Sequence, residues 1–148
     1  GKIPKSRSWE SWEDWVNVEC DFSANGYRLP KHIEWEYAAR GGNGLEGYQF
    51  QYAGSDNLDE VAVWNTDVVA EIKTKKPNGL RIYDLNGNIE EWTFDRYKGK
   101  ENVIYAGGYY FIKQPEAFAF SWPYSGHIAV SPALRNRQLG FRLVCTAD

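Results

Sequence analysis

Only one stretch of this chain reads as a clear helix, Ile33 to Arg40, and it is short. Pro30 drives the preceding Leu29 toward extended backbone. Gly41-Gly42 offers the left-handed cap that ends a helix. Inside these limits Ile33 and Tyr37 share one face, and Trp35 and Ala39 share another. Elsewhere there are brief extended runs separated by Gly, Asn, Asp and Pro. A chain of 148 residues with one helix must build its core from short strands and ordered loops. That pattern predicts an α+β fold with a high loop content. The length suits one domain, residues 1–148, able to bury roughly two-thirds of its unfolded surface without metals or disulfides as staples.

The extended runs are modest. Val18–Phe22 alternates weakly and is expected to form a strand, followed by a turn at Ser23-Ala24-Asn25-Gly26. Tyr27 to Leu29 is extended. Gly42 to Asp59 is a long Gly-, Asn- and Asp-rich loop, and Val61 to Trp64 is short and apolar. Lys73 to Asn78 is a basic, Pro-broken connection expected to be solvated. Leu80–Leu85 and Ile89–Phe94 read as strands joined across Asn86-Gly87-Asn88. Val103–Tyr105 leads into Gly107-Gly108, and Leu139–Val144 is a final strand. Near the start, Trp9, Trp12 and Trp15 are expected to pin a loop to the body.

Composition closes several routes. A net charge of -3 leaves no basic footprint for nucleic acid. No apolar run approaches the ~20 residues needed to cross a bilayer, so no transmembrane segment is expected. The chain has no Met, which reads as a processed chain or a piece of a longer protein. Cys20 and Cys145 are either one bridge or two buried thiols. Neither has a His near it in sequence, which argues against a catalytic thiol. His32 and His127 lie far apart and read as surface or hydrogen-bonded residues. No catalytic constellation emerges.

The stretch from Gly107 to Val144 has no clear period and is crowded with aromatic, small and turn residues. Phe111, Trp122, Tyr124, Ile128, Val130 and Leu134 are unusual in a loop. Pointing inward, they are core for a loop-rich fold. Facing water together, they form an apolar patch of the kind that marks an interaction site, with aromatic anchors giving contact area at low entropy cost.

Three blocks make the pattern specific: GYRLPKHIEWEYAARGG (Gly26–Gly42), KPNGLRIYDLNGNIEEW (Lys76–Trp92), and the frame from Gly107-Gly108 to Gly140-Phe141-Arg142. Together they resemble the formylglycine-generating-enzyme, or sulfatase-modifying-factor, domain family. The resemblance implies a C-type-lectin-like fold with a small twisted antiparallel sheet, flanking helices and long irregular loops. Against the family pattern, the first strand and helix are lacking, and Lys31 stands where a Thr N-cap is usual. Lysine cannot accept the free amides of a helix start. The family's oxidases bind copper through a cysteine pair whose positions fall on Ala119 and Tyr124. Without thiolates there, Cu(I) binding and oxidase chemistry are not expected. Calcium-binding relatives use a Gly-Asn-x-x-Glu-Trp segment, which maps a structural calcium onto the carbonyls of Asn86 and Ile89 and the carboxylate of Glu91. The competing reading is that Glu91 ties down its strand by hydrogen bonds. No other cofactor is implied.

The same fold brings a second resemblance, to the variable proteins of diversity-generating retroelements. Gly107-Gly108-Tyr109-Tyr110 opens the segment, departing from the family's Ser-Trp, and Pro132 and Arg135 punctuate the run to Gly140-Phe141-Arg142. It implies a noncatalytic, receptor-type protein at a cell surface or outside the cell. Residues 107–144 would grip a protein ligand through Tyr110, Phe111, Trp122, Tyr124, Ile128, Val130, Leu134, Asn136 and Arg137. The alternative is an enzyme or accessory module of the sulfatase-modifying class, and a third reading is a purely structural domain.

Overall fold

A computed structural model describes residues 19–42, 50–96, 103–119, 128–130, 134 and 136–145. Trp9, Trp12, Trp15, Trp122, Tyr124 and His127 lie outside these residues. The elements are β1 (Tyr27–Arg28), α1 (His32–Ala39), α2 (Leu58–Val61), β2 (Ala62–Val63), β3 (Asn86–Gly87), β4 (Glu90–Arg96), β5 (Val103–Ala106), a 3-10 turn (Pro115–Phe118), β6 (Ile128–Val130), β7 (Leu139–Gly140) and β8 (Val144–Cys145). This is the expected α+β composition.

The main sheet runs β6-β5-β4-β7. β4 and β5 pair antiparallel, with Glu91 opposite Ala106 and Trp92 opposite Tyr105, and β6 extends the ladder antiparallel with Ile128 opposite Tyr105 and Val130 opposite Val103. The sheet is mixed, because β7 joins β4 in parallel with Glu90 opposite Leu139. Two small sheets flank it: β1 with β8, antiparallel, and β2 with β3, parallel.

α1 matches its predicted limits within a residue, and its faces sort cleanly. Trp35 and Ala39 are buried against β4 and β5, while Ile33 stays 68% exposed. The missing Thr cap is replaced from a distance. The Asp95 carboxylate on β4 accepts the His32 amide, and Glu34 reaches back to the Lys31 amide at 2.7 Å. A carboxylate at a helix start also opposes the helix dipole. At the other end Asn78 donates to the carbonyls of Ala38 at 2.6 Å and Ala39 at 3.2 Å.

Among the described residues two apolar clusters form the core. Trp35, Ala39, Ala53, Leu85 and Ala106 fill the first, with Ile82 against them. Tyr52, Leu58, Val61, Ala62, Phe118 and Ala119 fill the second, with Trp64 and Ile112 packed on it. Three buried asparagines fasten loops to this core. Asn86 trades both hydrogen bonds with the Ala53 backbone, at 3.1 and 3.2 Å. Asn88 does the same with Ala70, at 3.0 and 3.3 Å. Asn78 also accepts the amides of Leu80 and Ile82, at 3.1 Å each. A side-chain amide has a donor and an acceptor in the geometry of a peptide group, so it can stand in for a strand where no strand runs.

Several expected strands did not form. Residues Glu19 to Phe22 are irregular, with Phe22 edge-on to Phe94 at 5.3 Å and the Lys31 ammonium 4.2 Å over its ring. Leu80–Leu85 is not a strand, because Arg81 and Asp84 adopt left-handed backbone at φ 61° and 57°. Asn86–Gly87 is not a hairpin turn but a strand against β2. Gly87 sits at φ 73°, where a Cβ would lie 2.1 Å from the Val63 carbonyl oxygen. Only glycine fits there. Leu139–Val144 is broken into β7 and β8, since Arg142 turns inward between them. α2 straddles the end of the expected loop and the start of the apolar run at Val61, and is capped by Asn57, whose side chain accepts the Asp59 amide at 3.1 Å. The basic connection clamps this short helix: Lys75 donates to the Asp59 carbonyl at 2.8 Å and Lys76 pairs with Glu60 at 3.2 Å.

Candidate functional site

The segment beginning at Gly107 is stitched to the scaffold at its opening and reset in the sheet at its end. Gly107 and Gly108 take φ values of 96° and 67°, and a Cβ at Gly108 would lie 2.7 Å from the Phe118 ring. Beyond them the Tyr110 amide donates to the Asn88 carbonyl at 3.1 Å, and its carbonyl accepts the Thr66 amide at 2.9 Å. The Ile112 carbonyl accepts the Asn65 amide at 3.0 Å. Backbone bonds therefore fix this arm, with Ile112 packed on the second cluster and Phe111 turned to solvent. Phe111 is 44% exposed, with the Lys113 ammonium 5.3 Å from its ring centre, and Tyr110 is half-buried, edge-on to Tyr109 at 6.2 Å.

At the far end of the segment Leu134 is 37% exposed, and Asn136 and Arg137 are exposed. The Asn136 side chain accepts the Gln138 amide at 2.9 Å, a turn that feeds β7. Ile128 and Val130 are placed in β6 by their backbone. Of the nine residues expected to face a ligand, four that the structure describes are thus open to solvent and Tyr110 is half open. Trp122 and Tyr124 lie outside the described residues.

The two positions that matter for oxidase chemistry divide. Ala119 is buried in the second apolar cluster beside Phe118 and Leu58. Its methyl group offers no ligand or nucleophile, and Tyr124 is undescribed. Among the described residues no three His, Cys, Asp or Glu side chains gather to hold a metal ion. Cys20 and Cys145 are not joined in a disulfide.

The calcium expectation uses the backbone carbonyls of Asn86 and Ile89 and the carboxylate of Glu91, and of these the carboxylate has hydrogen-bond partners on both oxygens. Glu91 receives Trp35 Nε1 at 2.7 Å and Arg142 Nε at 2.5 Å on one oxygen, and Arg142 Nη2 at 2.6 Å on the other. The same Arg142 nitrogen donates to the carbonyls of Tyr83 and Asp84, each at 3.2 Å. One carboxylate therefore ties α1, β4, the loop before β3 and the chain between β7 and β8. This is the hydrogen-bonding alternative that the sequence left open for Glu91.

One residue escaped the sequence reading. Glu90 is 4% exposed, and burial pushes its carboxyl up to about 7. Tyr105 nearby is pushed up to about 12, first by burial, then by the charges of Glu90 and Tyr109. In sequence it is only a second acid beside Glu91 in a strand-like run, which gives no sign of burial.

The chain matches the sulfatase-modifying factor enzyme 1-like domain over residues 7–147. The chain belongs to this family. It is 38% identical over 104 residues to "Chaperone protein LppX" of Paenibacillus barcinonensis, covering 57% of the chain and 36% of that protein. It is 28% identical over 167 aligned positions to the formylglycine-generating enzyme of Mus musculus, covering 93% of the chain and 43% of the enzyme. Similarity to the inactive C-alpha-formylglycine-generating enzyme 2 of Bos taurus is 30% over 104 residues, covering 62% of the chain and 33% of that protein. Among solved structures, Treponema denticola variable protein 1 superposes with a TM-score of 0.73 at 28% identity, covering 90% of the chain and 52% of that structure. The chain thus spans about half or less of the length of these relatives. These similar proteins include an enzyme, one named as inactive and a variable protein, so likeness alone does not assign activity.

Proposed function

We propose that the chain is a noncatalytic ligand-binding module that presents residues 107–144 to a protein partner. The observation that carries this reading is the opening arm itself. Its backbone is bonded to Asn65, Thr66 and Asn88 while Phe111 projects into water. An exposed aromatic on a rigid backbone loses little entropy on binding, which is what recognition surfaces use. Leu134, Asn136 and Arg137 supply a second exposed group beside β7. The contact set is Tyr110, Phe111, Trp122, Tyr124, Ile128, Val130, Leu134, Asn136 and Arg137. Likeness to Treponema denticola variable protein 1 supports extending this to diversification by a retroelement and display at a cell surface or outside the cell.

The encoding DNA tests the diversification. A reverse-transcriptase gene close by, with an adenine-rich near-copy of the last ~40 codons, is the expected finding, because a single sequence frame is only a motif-grade argument. Absence of both from the neighbourhood sinks it. Noncatalysis has its own test. Incubation with copper and a Cys-containing sulfatase peptide is expected to leave the cysteine unchanged, since Ala119 replaces a thiol with a methyl group. Any formylglycine in the peptide overturns the reading in favour of the formylglycine-generating enzymes, to which the chain is also similar.

A further inference from the structure

The main sheet has a face turned away from α1. Side chains alternate along a strand, so Glu90 and Trp92 share one side of β4 and Glu91 the other. Glu91 bonds to Trp35 of α1. Glu90 therefore faces the opposite side, where Tyr105 stands across from Trp92 on the neighbouring strand. β5 carries Tyr105 and ends at Ala106, and Tyr109 follows it three residues on, edge-on to Tyr110. The carboxylate and Tyr105 thus share one sheet face, and Tyr109 begins the arm that continues through Tyr110 and Phe111.

The carboxylate lacks the company that a buried acid normally keeps. Nine-tenths and more of Glu90 is buried, yet among the described residues no Lys, Arg or His forms an ion pair with it, and no hydrogen bond reaches its oxygens. Its backbone is engaged with β7, the amide donating to the Gln138 carbonyl at 2.7 Å. Burial of an acid without a partner is costly, and such groups concentrate at sites that meet a ligand. Burial is not complete: 4% of the residue's surface stays open to solvent.

We propose that Glu90, with Tyr105 and Tyr109, forms an anionic socket that takes a lysine or arginine side chain of the protein ligand. The inference rests on the ligand-binding reading above and deepens it. A carboxylate at low dielectric holds an ammonium or guanidinium more strongly than it would in water. Tyrosine rings attract cations over their faces. Entry of the cation converts an uncompensated buried charge into a pair, so the socket discriminates against neutral side chains by the same burial that makes it unfavourable when empty.

The test uses the intact chain and three small probes: Nα-acetyl-lysine methylamide, its arginine counterpart, and the norleucine counterpart as an apolar control. Ring resonances of Tyr105 and Tyr109 are followed by NMR at pH 8, where Glu90 is ionised. The expected result is saturable shifts with the two cations, no shift with norleucine, and binding at least tenfold weaker in Glu90→Gln. Binding should also weaken as pH falls from 8 to 5. Because Gln keeps the shape of a protonated Glu, the variant is expected to fold, and its melting curve verifies this. The socket is overturned if neither cation moves either ring, or if Glu90→Gln binds them as well as the parent does. A chain that binds a protein through Phe111 and Leu134 yet ignores both cations loses the socket alone. One that takes the cations but no protein loses the ligand class instead.

Discussion

At the scale of single residues, this molecule is held by side chains that do the work of backbone. Asn78 is the clearest case, because its amide closes the C-terminus of α1 and also orders the loop at Leu80 and Ile82. Asn78→Ala would leave buried donors and acceptors unpaired on both sides, at a cost of about 2–4 kcal/mol. Urea denaturation reads that loss directly, and a change below a few tenths of a kcal/mol would contradict the role. Glu91 makes a second such point. Its oxygens are committed to Arg142 and Trp35, so Arg142→Ala strands a largely buried carboxylate and is expected to cost about 3 kcal/mol. For the same reason a chelator should leave the parent's melting temperature unchanged. A marked drop on adding EDTA would restore the structural calcium that the family resemblance implied.

Elements show which parts of the fold a sequence reader can see. α1 was legible at both ends because Pro30 and Gly41-Gly42 act locally, through backbone sterics. Its cap was not, since Asp95 comes from β4, more than sixty positions away. Asp95→Ala is expected to fray the first turn and cost about 1 kcal/mol. Amide exchange at Ile33 and Glu34 should quicken, while exchange in β5 should not, and Asp95→Asn should restore most of the protection. The strands were harder. Leu80–Leu85 has a strand's composition, yet Arg81 and Asp84 are left-handed, and the run bonds to the Asn78 side chain nearby and to Arg142 from the far end of the chain. Leu139–Val144 reads as one run and is two, for want of any local sign that Arg142 is drawn inward. The opening of the candidate site was legible in Gly107-Gly108, whose left-handed backbone only glycine accepts easily. Glu90 was not, because a charged residue in a strand looks solvated until its neighbours are placed.

At the scale of the whole molecule, two acids pull stability in opposite directions with pH. Glu34 is held low, chiefly by its hydrogen bonds from Arg28 at 2.6 and 2.7 Å. A depressed carboxyl contributes stability present above its unfolded pKa and lost as pH falls through the folded one, and this half-exposed pair contributes only about 0.2–1 kcal/mol. Glu90 has the reverse sign. Its folded value of about 7 lies above the ordinary 4.5, so the folded state binds the proton more tightly. Its contribution is complete below about pH 4.5 and is lost as pH rises through 7. The parent should therefore weaken between pH 5 and 8 in a way that Glu90→Gln does not. At pH 8 the variant is expected to be the more stable by roughly 1–3 kcal/mol, with the gap closing by pH 5. Thermal melts of both proteins across that window measure the difference, in which Glu34 cancels. A gap that is flat with pH would mean that Glu90 is charged at no cost, and a carboxylate already paired has nothing to gain from a ligand's cation. A gap that opens above neutrality, and shrinks when the lysine probe is added to the parent, would tie the fold's least comfortable charge to the face that meets the ligand.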